Sequence, residues 1–223
     1  MFNGQKRLKM IEKYTTVILA DGDFPSTPKT MQILKQAQHI ICCDGAAEKL
    51  LRFGLEPDKI IGDLDSLAVK LQEKYADKIV HVAEQESNDL SKAFCYCRSQ
   101  GYTDVVILGA TGKREDHTLG NLSLLALYAR ELPEIKMVTD HGEFFVIFEG
   151  GTFPSMAGEQ ISIISLDSNL VIHSSENLKY PIRELKMDYW YQATLNEALS
   201  DTFSLDFPAG HPVLVYRAVK NKI

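Results

Sequence analysis

Four apolar runs of strand length each end in aspartate or glycine: "TTVILADG", "HIICCDG", "DKIIGD" and "DVVILGATG". Between and after them stand segments of helical character: "TPKTMQILKQAQ", "GAAEKLLRFG", "SNDLSKAFCYCRSQG" and "DHTLGNLSLLALYAREL". Strands that alternate with helices predict parallel β/α construction rather than a helical bundle. In such sheets the crevice beyond the carboxyl ends of the strands takes the ligand, and the acids and glycines recur there.

The pattern changes after about residue 148. "EQISIISL", "LVIHSS", "FSLDF" and "PVLVYRAV" are short β-type runs separated by Gly, Pro, Ser and Asn, with weak helical periodicity. The expected fold class is therefore α/β: a parallel-sheet domain over 12–148, then an antiparallel β domain over 149–223. The chain has 223 residues, 45% of them hydrophobic, enough to bury either one large core or two smaller ones. Phe144, Phe145, Phe148 and Tyr180 are candidates for the second core, and Trp190 for core or ligand contact.

Formal net charge is -6, so a global basic field for nucleic acid is absent and a bound polyphosphate would need local cations or metal. A run of about 18 apolar residues, as a membrane span requires, does not occur. The start, "MFNGQKRLKMIEKYTT", is basic but lacks the long apolar segment of a secretory signal. Cys42, Cys43, Cys95 and Cys97 have no zinc spacing and read as buried thiols rather than disulfides, which suits a cytoplasmic protein.

Asp63 and Asp65, in "IIGDLDSL", place two charges beside an apolar run. Magnesium takes oxygen ligands, often carboxylates together with substrate phosphates, and a cation offsets the repulsion between neighbouring acids. Strict strand alternation would put both on one side, and a turn could converge them as well. An isolated D-x-D is also an ordinary solvated loop. Asp44 ends "HIICCDG", where Gly45 and Ala46 allow close backbone approach to an anion; the same "DG" is a common turn. Asp21 and Asp23 in "LADGDF" share that ambiguity, and Ser66 has a capping role open to it.

Asp89 and Lys92 stand three apart in "SNDLSKAF", on neighbouring parts of one helix face. Ser87 or Asn88 can cap that helix and Asp89 suits its positive end. As an exposed pair, Asp89 and Lys92 would contribute only about 0.5 kcal/mol. "GATGKREDHTLGN" is the densest constellation. Gly109 and Gly112 permit a tight strand-to-helix passage, Lys113 and Arg114 carry positive charge, and Asp116 and His117 open the next helix. His117 and Asn121 lie one turn apart. Arg114 after Lys113 departs from the Gly-Lys-Ser/Thr phosphate loop, and the glycine spacing departs from the dinucleotide fingerprint.

Taken in order, "CCDGAA", "IIGDLDSL", "SNDLSKAF", "LGATGKREDHTLGN", "SSENLKYPIREL" and "YQATLNEA" resemble the thiamine pyrophosphokinase family over nearly the whole chain. The resemblance implies transfer of the pyrophosphoryl group from ATP to the thiamine hydroxyl, giving thiamine diphosphate and AMP. It implies an ATP-binding α/β domain over 12–148 and a β-sandwich over 149–223 for thiamine binding and dimerisation. Homodimers with active sites shared between subunits are the expected assembly. Carried over residue by residue, Asp44, Asp63, Asp65 and Asp89 are the magnesium and diphosphate site. Lys92 and Arg114 face ATP phosphate, Asp116 organises substrate or metal, and Asn121 supports the site. On the thiamine side, Tyr180, Thr194 and Asn196 are the matching positions. Lys113 stands where the family often has glycine, Tyr180 where it often has tryptophan, and Leu195 where it often has serine. Rival readings are a pyrophosphokinase for another hydroxymethyl heterocycle such as a pterin, or a thiamine- or nucleotide-binding protein without turnover.

Overall fold

The computed structural model describes residues 14–219. The basic start of the chain, with residues 12–13 and 220–223 of the expected domain limits, lies outside the described residues. Six strands, β1 (Thr16–Leu19), β2 (His39–Cys43), β3 (Lys59–Gly62), β4 (Ile79–His81), β5 (Val105–Leu108) and β6 (Lys136–Val138), pair in parallel in the order β4-β3-β2-β1-β5-β6. Helices α1 (Pro28–Gln36), α2 (Ala46–Arg52), α3 (Val69–Lys74), α4 (Asp89–Ser99) and α5 (Glu115–Glu131) complete this half.

Strand alternation sorts the core into two layers. Val17 and Leu19 pack with Ile33 and Leu34 of α1 and Leu50 of α2. Ile18 points the other way, to Leu90 and Phe94 of α4 and Leu125 of α5. Each fully buried aliphatic of this kind contributes about 1.5–3 kcal/mol. The sheet is thus a firm platform for strained turns at its carboxyl edge. The chain runs outward from β1 through β2 and β3, then returns to β5 on the opposite side of β1. That reversal is a topological switch point, and it opens a crevice.

The same sheet continues without a break. β7 (Gly142–Ile147) pairs antiparallel with β6, and β14 (Val213–Ala218), β9 (Gln160–Ser165) and β12 (Ala193–Glu197) follow in the order β6-β7-β14-β9-β12. A second, antiparallel sheet holds β8 (Gly151–Pro154), β10 (Val171–Glu176), β11 (Arg183–Lys186) and β13 (Thr202–Asp206), ordered β11-β10-β13-β8. Ile161, Ile163, Val213 and Val215 of the first sheet meet Ile172, Phe203 and Leu205 of the second, forming the core of a β-sandwich.

β7 divides its aromatics between the two cores: Phe145 packs on the sandwich, while Phe144, with Phe148 beyond the strand, packs on the layer of α4 and α5. Tyr180 is 61% exposed and Trp190 47%, so neither fills a core. The four cysteines are unpaired; Cys42, Cys43 and Cys97 are buried, whereas Cys95 is exposed. Burial pushes the Cys97 thiol up to about 12.

Candidate active site

Asp44 follows β2 directly and takes φ 29°, in the left-handed region that a non-glycine residue enters at a cost of about 1–2 kcal/mol. Its N–H donates to the Ile61 carbonyl at 2.9 Å, holding the residue to the end of β3. The side chain is buried. One carboxylate oxygen, Oδ2, accepts from the Ser66 N–H at 3.0 Å, and the other, Oδ1, is buried with no hydrogen-bond partner. Burial pushes Asp44 up to about 6, and Asp89 and Asp65 add to the shift against the Ser66 N–H.

A turn, not strand alternation, converges the next two acids. Leu64 at φ 71° folds the chain back so that Asp63 Oδ1 accepts the Asp65 N–H at 3.3 Å. Gln85 donates to Asp63 Oδ2 at 2.8 Å, and this bond first, then the Asp65 N–H, holds Asp63 below the usual carboxylate range. Ligand oxygens of Asp44, Asp63 and Asp65 lie within 4.8 Å of one another, a spacing that could hold a divalent cation.

Asp89 flanks this trio from the first turn of α4, which Asn88 caps by accepting the Ser91 N–H at 2.9 Å. Gly62 is what permits the approach. A Cβ there would stand 2.9 Å from Asp44 Cβ and 3.2 Å from Asp89 Oδ1. Burial raises Asp89, with Asp63 and Asp65 adding to it against the attraction of Lys92. Lys92 Nζ lies 3.4 Å from Asp89 Oδ1, and its side chain is 3% exposed. The ledger for an exposed pair therefore does not apply: a buried ammonium needs this acidic neighbourhood.

Asp44 and Asp89 border a cleft of about 350 Å³ at the switch point, with Asp21, Lys113, Arg114 and Asn121 also in its walls, while Asp63, Asp65 and Lys92 are not among its lining residues. Its floor is made where the turns after β1 and β5 are joined. Gly22 N–H donates to the Gly109 carbonyl at 2.5 Å, and Asp23 N–H to the Thr111 carbonyl at 2.8 Å. Gly112, at φ 90°, is in close contact with Asp23: a Cβ on it would fall 2.1 Å from Asp23 Oδ2.

On the cleft wall two lysines meet Asp21. Lys49 Nζ lies 2.9 Å from Asp21 Oδ1 and also donates to the carbonyls of Asp21 and Gly22, at 3.1 and 2.6 Å. Lys113 Nζ lies 2.8 Å from Asp21 Oδ2. Partial burial opposes ionisation of Asp21, but the bonds from Lys113 and Lys49 outweigh it and hold the carboxyl below its ordinary value. Lys49 escaped sequence reasoning. Its signal was its place one turn after buried Ala46, on the side of α2 from which its ammonium reaches the turn after β1.

Arg114 and Asp116 pair with each other at the cleft mouth, Nη2 to Oδ2 2.6 Å, and both are exposed. The Arg114 bond draws Asp116 down to about 2. Arg114 lines the cleft; Asp116 is not among its lining residues. Asn121 does structural work: its Nδ2 donates to the Ala110 carbonyl at 2.9 Å, and its Oδ1 accepts from Asn88 Nδ2 at 3.1 Å. α5 is thereby tied to the end of β5 and to the cap of α4.

Tyr180, Thr194 and Asn196 lie outside the cleft lining. Buried Asn196 brackets Tyr180 by its main chain, accepting the Tyr180 N–H at 3.0 Å and donating to its carbonyl at 2.8 Å, which leaves the ring exposed. Thr194 Oγ1 donates to the Tyr191 carbonyl at 2.8 Å. Leu195, at φ 56° and 77% exposed, sits in a register shift between Ala193 and Asn196.

Two family models match in succession. Residues 30–137 match "Thiamin pyrophosphokinase, catalytic domain", and residues 142–216 match "Thiamin pyrophosphokinase, substrate-binding domain". The chain belongs to the thiamin pyrophosphokinase family. Thiamin pyrophosphokinase 1 of Caenorhabditis elegans is 27% identical over 167 residues, covering 69% of this chain and 68% of that protein. Thiamine pyrophosphokinase of Bacillus subtilis (strain 168) is 28% identical over 146 residues, covering 62% and 68%.

Solved thiamin pyrophosphokinases share the fold. The yeast structure superposes with a TM-score of 0.77 at 17% identity, covering 95% of this chain and 90% of that one. The Bacillus subtilis structure gives 0.75 at 20% identity, with 92% and 100% covered. As a thiamin pyrophosphokinase, the chain is an enzyme of ATP-dependent pyrophosphoryl transfer to thiamine. Among the described residues no helix is long and apolar enough to cross a membrane.

Proposed function

We propose that the cleft at the switch point takes the triphosphate of ATP together with magnesium, and that Asp44, Asp63 and Asp65 are the metal ligands. The carrying observation is the Asp44 carboxylate: buried, with an unpartnered oxygen, and within 4.8 Å of oxygens from two further acids. Such an all-oxygen donor set fits a hard divalent cation. Bound there, magnesium would offset phosphate charge and polarise the phosphoryl oxygens. Asp89 completes the acidic wall and Lys92 keeps it charged by lying against it. Arg114, exposed at the mouth, is placed to meet phosphate when it leaves Asp116.

In this reading the thiamine hydroxyl oxygen bonds to the β phosphorus while the bond between that phosphorus and the α-bridging oxygen breaks. AMP leaves and the hydroxyl proton is released. Positioning and fixed charge supply the rate, as in other phosphoryl transfers. Residues 12–148 carry the nucleotide and 149–223 the thiamine, with β7 as the shared border because it pairs with both β6 and β14. Tyr180 stacks on the heterocycle, Asn196 fixes it, and Thr194 holds the adjoining turn. These residues lie outside the cleft lining, which supports a homodimer whose sites combine the cleft of one subunit with the Tyr180 face of the other.

The test is the production of AMP and thiamine diphosphate from ATP, thiamine and magnesium by the wild-type chain and Asp65→Asn. Equal amounts of both products are expected from the wild type, dependent on thiamine and on magnesium. Turnover of the variant should fall on the order of 10²–10³-fold with an unchanged melting temperature. A native fold with undiminished turnover would remove Asp65 from the site.

A further inference from the structure

We propose that Asp21 is a resident substitute for a nucleotide phosphate: it occupies the Lys49–Lys113 pair and gives up Lys113 to the triphosphate when ATP binds. This rests on the cleft being the nucleotide site. Asp21 belongs to the cleft wall, as do Asp44, Asp89 and Lys113. Gly45 brings it close to the acid cluster, since a Cβ at that position would lie 3.4 Å from both Asp21 Cγ and Ser66 Cβ. An anion at Asp21 therefore stands beside the proposed metal ligands, where a phosphate would also have to stand.

Two ammonium groups converge on this one carboxylate, Lys49 at 2.9 Å and Lys113 at 2.8 Å. Their holds differ. Lys49 is 30% exposed and is also anchored by the carbonyls of Asp21 and Gly22. Lys113 is 50% exposed, and its hydrogen bond runs to Asp21 on a turn that includes Gly112 at φ 90°. Its flexible stem lets the ammonium move without moving the backbone. A triphosphate offers more charge than one carboxylate, so Lys113 transfers and Lys49 remains to keep Asp21 neutralised. Asp21 is then an internal competitor that weakens nucleotide binding while keeping two lysines from repelling each other.

Equilibrium binding of ATP, inorganic tripolyphosphate and adenosine, each with magnesium, to the full chain tests this. Asp21→Asn leaves Lys49 its two carbonyl acceptors. It should tighten ATP and tripolyphosphate about 3- to 10-fold and leave adenosine unchanged. Lys113→Met should weaken both phosphate ligands about 3- to 10-fold, and the double variant should match Lys113→Met. Lys113→Met reads the same contact from its exposed side, so the test survives if Asp21→Asn folds poorly. Normal wild-type ATP binding with Asp21→Asn unchanged or weaker overturns the proposal alone. No binding of ATP or tripolyphosphate to the wild type overturns the nucleotide reading and this proposal together.

Discussion

Asp44 concentrates the cost of the site in one side chain. It has a left-handed backbone, a buried carboxylate and acidic neighbours, and each of these opposes folding of the metal-free chain. Its folded value near 6 lies above the ordinary 3.8, so the native state holds the proton more tightly than the unfolded state. This contribution makes metal-free stability fall as pH rises from about 4 to about 6, then level off. The difference between these two values is worth about 3 kcal/mol, reduced to about 1–2 kcal/mol by solvent at the cleft. Asp44→Asn should therefore raise the melting temperature of the magnesium-free protein at pH 7 while greatly reducing turnover. Magnesium should stabilise the wild type and leave the variant unmoved; a stabilising response of equal size in both would place the ion elsewhere. Taken by themselves, the residues around Asp44 read equally as an anion-approach turn and as an ordinary "DG" turn, and only the family resemblance carried Asp44 to the metal site. Its buried oxygen depends on Ser66 and Ile61, brought near by strand pairing that no local pattern encodes.

At the scale of elements, α1 shows how far a cap can come from. Thr27 before Pro28 is a readable helix start, and the Thr27 side chain accepts the Thr30 N–H. What finishes the cap is Asp140, just past β6. It accepts the N–H groups of Ser26 and Thr27 at 2.9 and 3.1 Å and the hydroxyls of Ser26 and Thr30. Partial burial works against its ionisation, yet these donors hold its carboxyl well below the usual range. A depressed folded value gives stability that is present above about pH 4 and is lost as pH falls toward the folded value. Asp140→Asn should cost about 1–2 kcal/mol at neutral pH and flatten the acid side of a melting-temperature series. An unchanged acid profile would show that α1 does not depend on this carboxylate. Asp140 and its partners are 110 to 114 residues apart, so a window along the chain cannot reveal them. The strongly patterned strands β1, β2, β3 and β5 were legible from their apolar runs. β4 spans three residues with no buried position, β8 is largely exposed and ends in proline, and β12 loses its alternation at Leu195, so local pattern left them undefined.

For the whole molecule, the homodimer proposed above has a consequence that mixing can read. Chains carrying Asp65→Asn and chains carrying Tyr180→Ala should each be poorly active alone. Mixed, unfolded and refolded together, random pairing should restore about a quarter of wild-type activity, because half of the dimers then hold one intact site. No recovery would place both residues in the site of one chain. The sequence read correctly as a parallel α/β half followed by an antiparallel β half. The continuity between them was hidden, because the pairings of β7 with β14 and of β14 with β9 join segments far apart in sequence.

That continuity sets an order on the ribosome. β14 lies between β7 and β9, yet it is made after both and after all four strands of the second sheet. While the chain emerges, the parallel α/β half can close around β1 as soon as β6 is out. The edges of β7 and β9 that face β14 stay unpaired, with Ile161 and Ile163 lacking the neighbours that later bury them. A nascent chain stalled before Val213 would combine a finished parallel half with an open, apolar sheet edge, which is the form most exposed to chaperones and to aggregation.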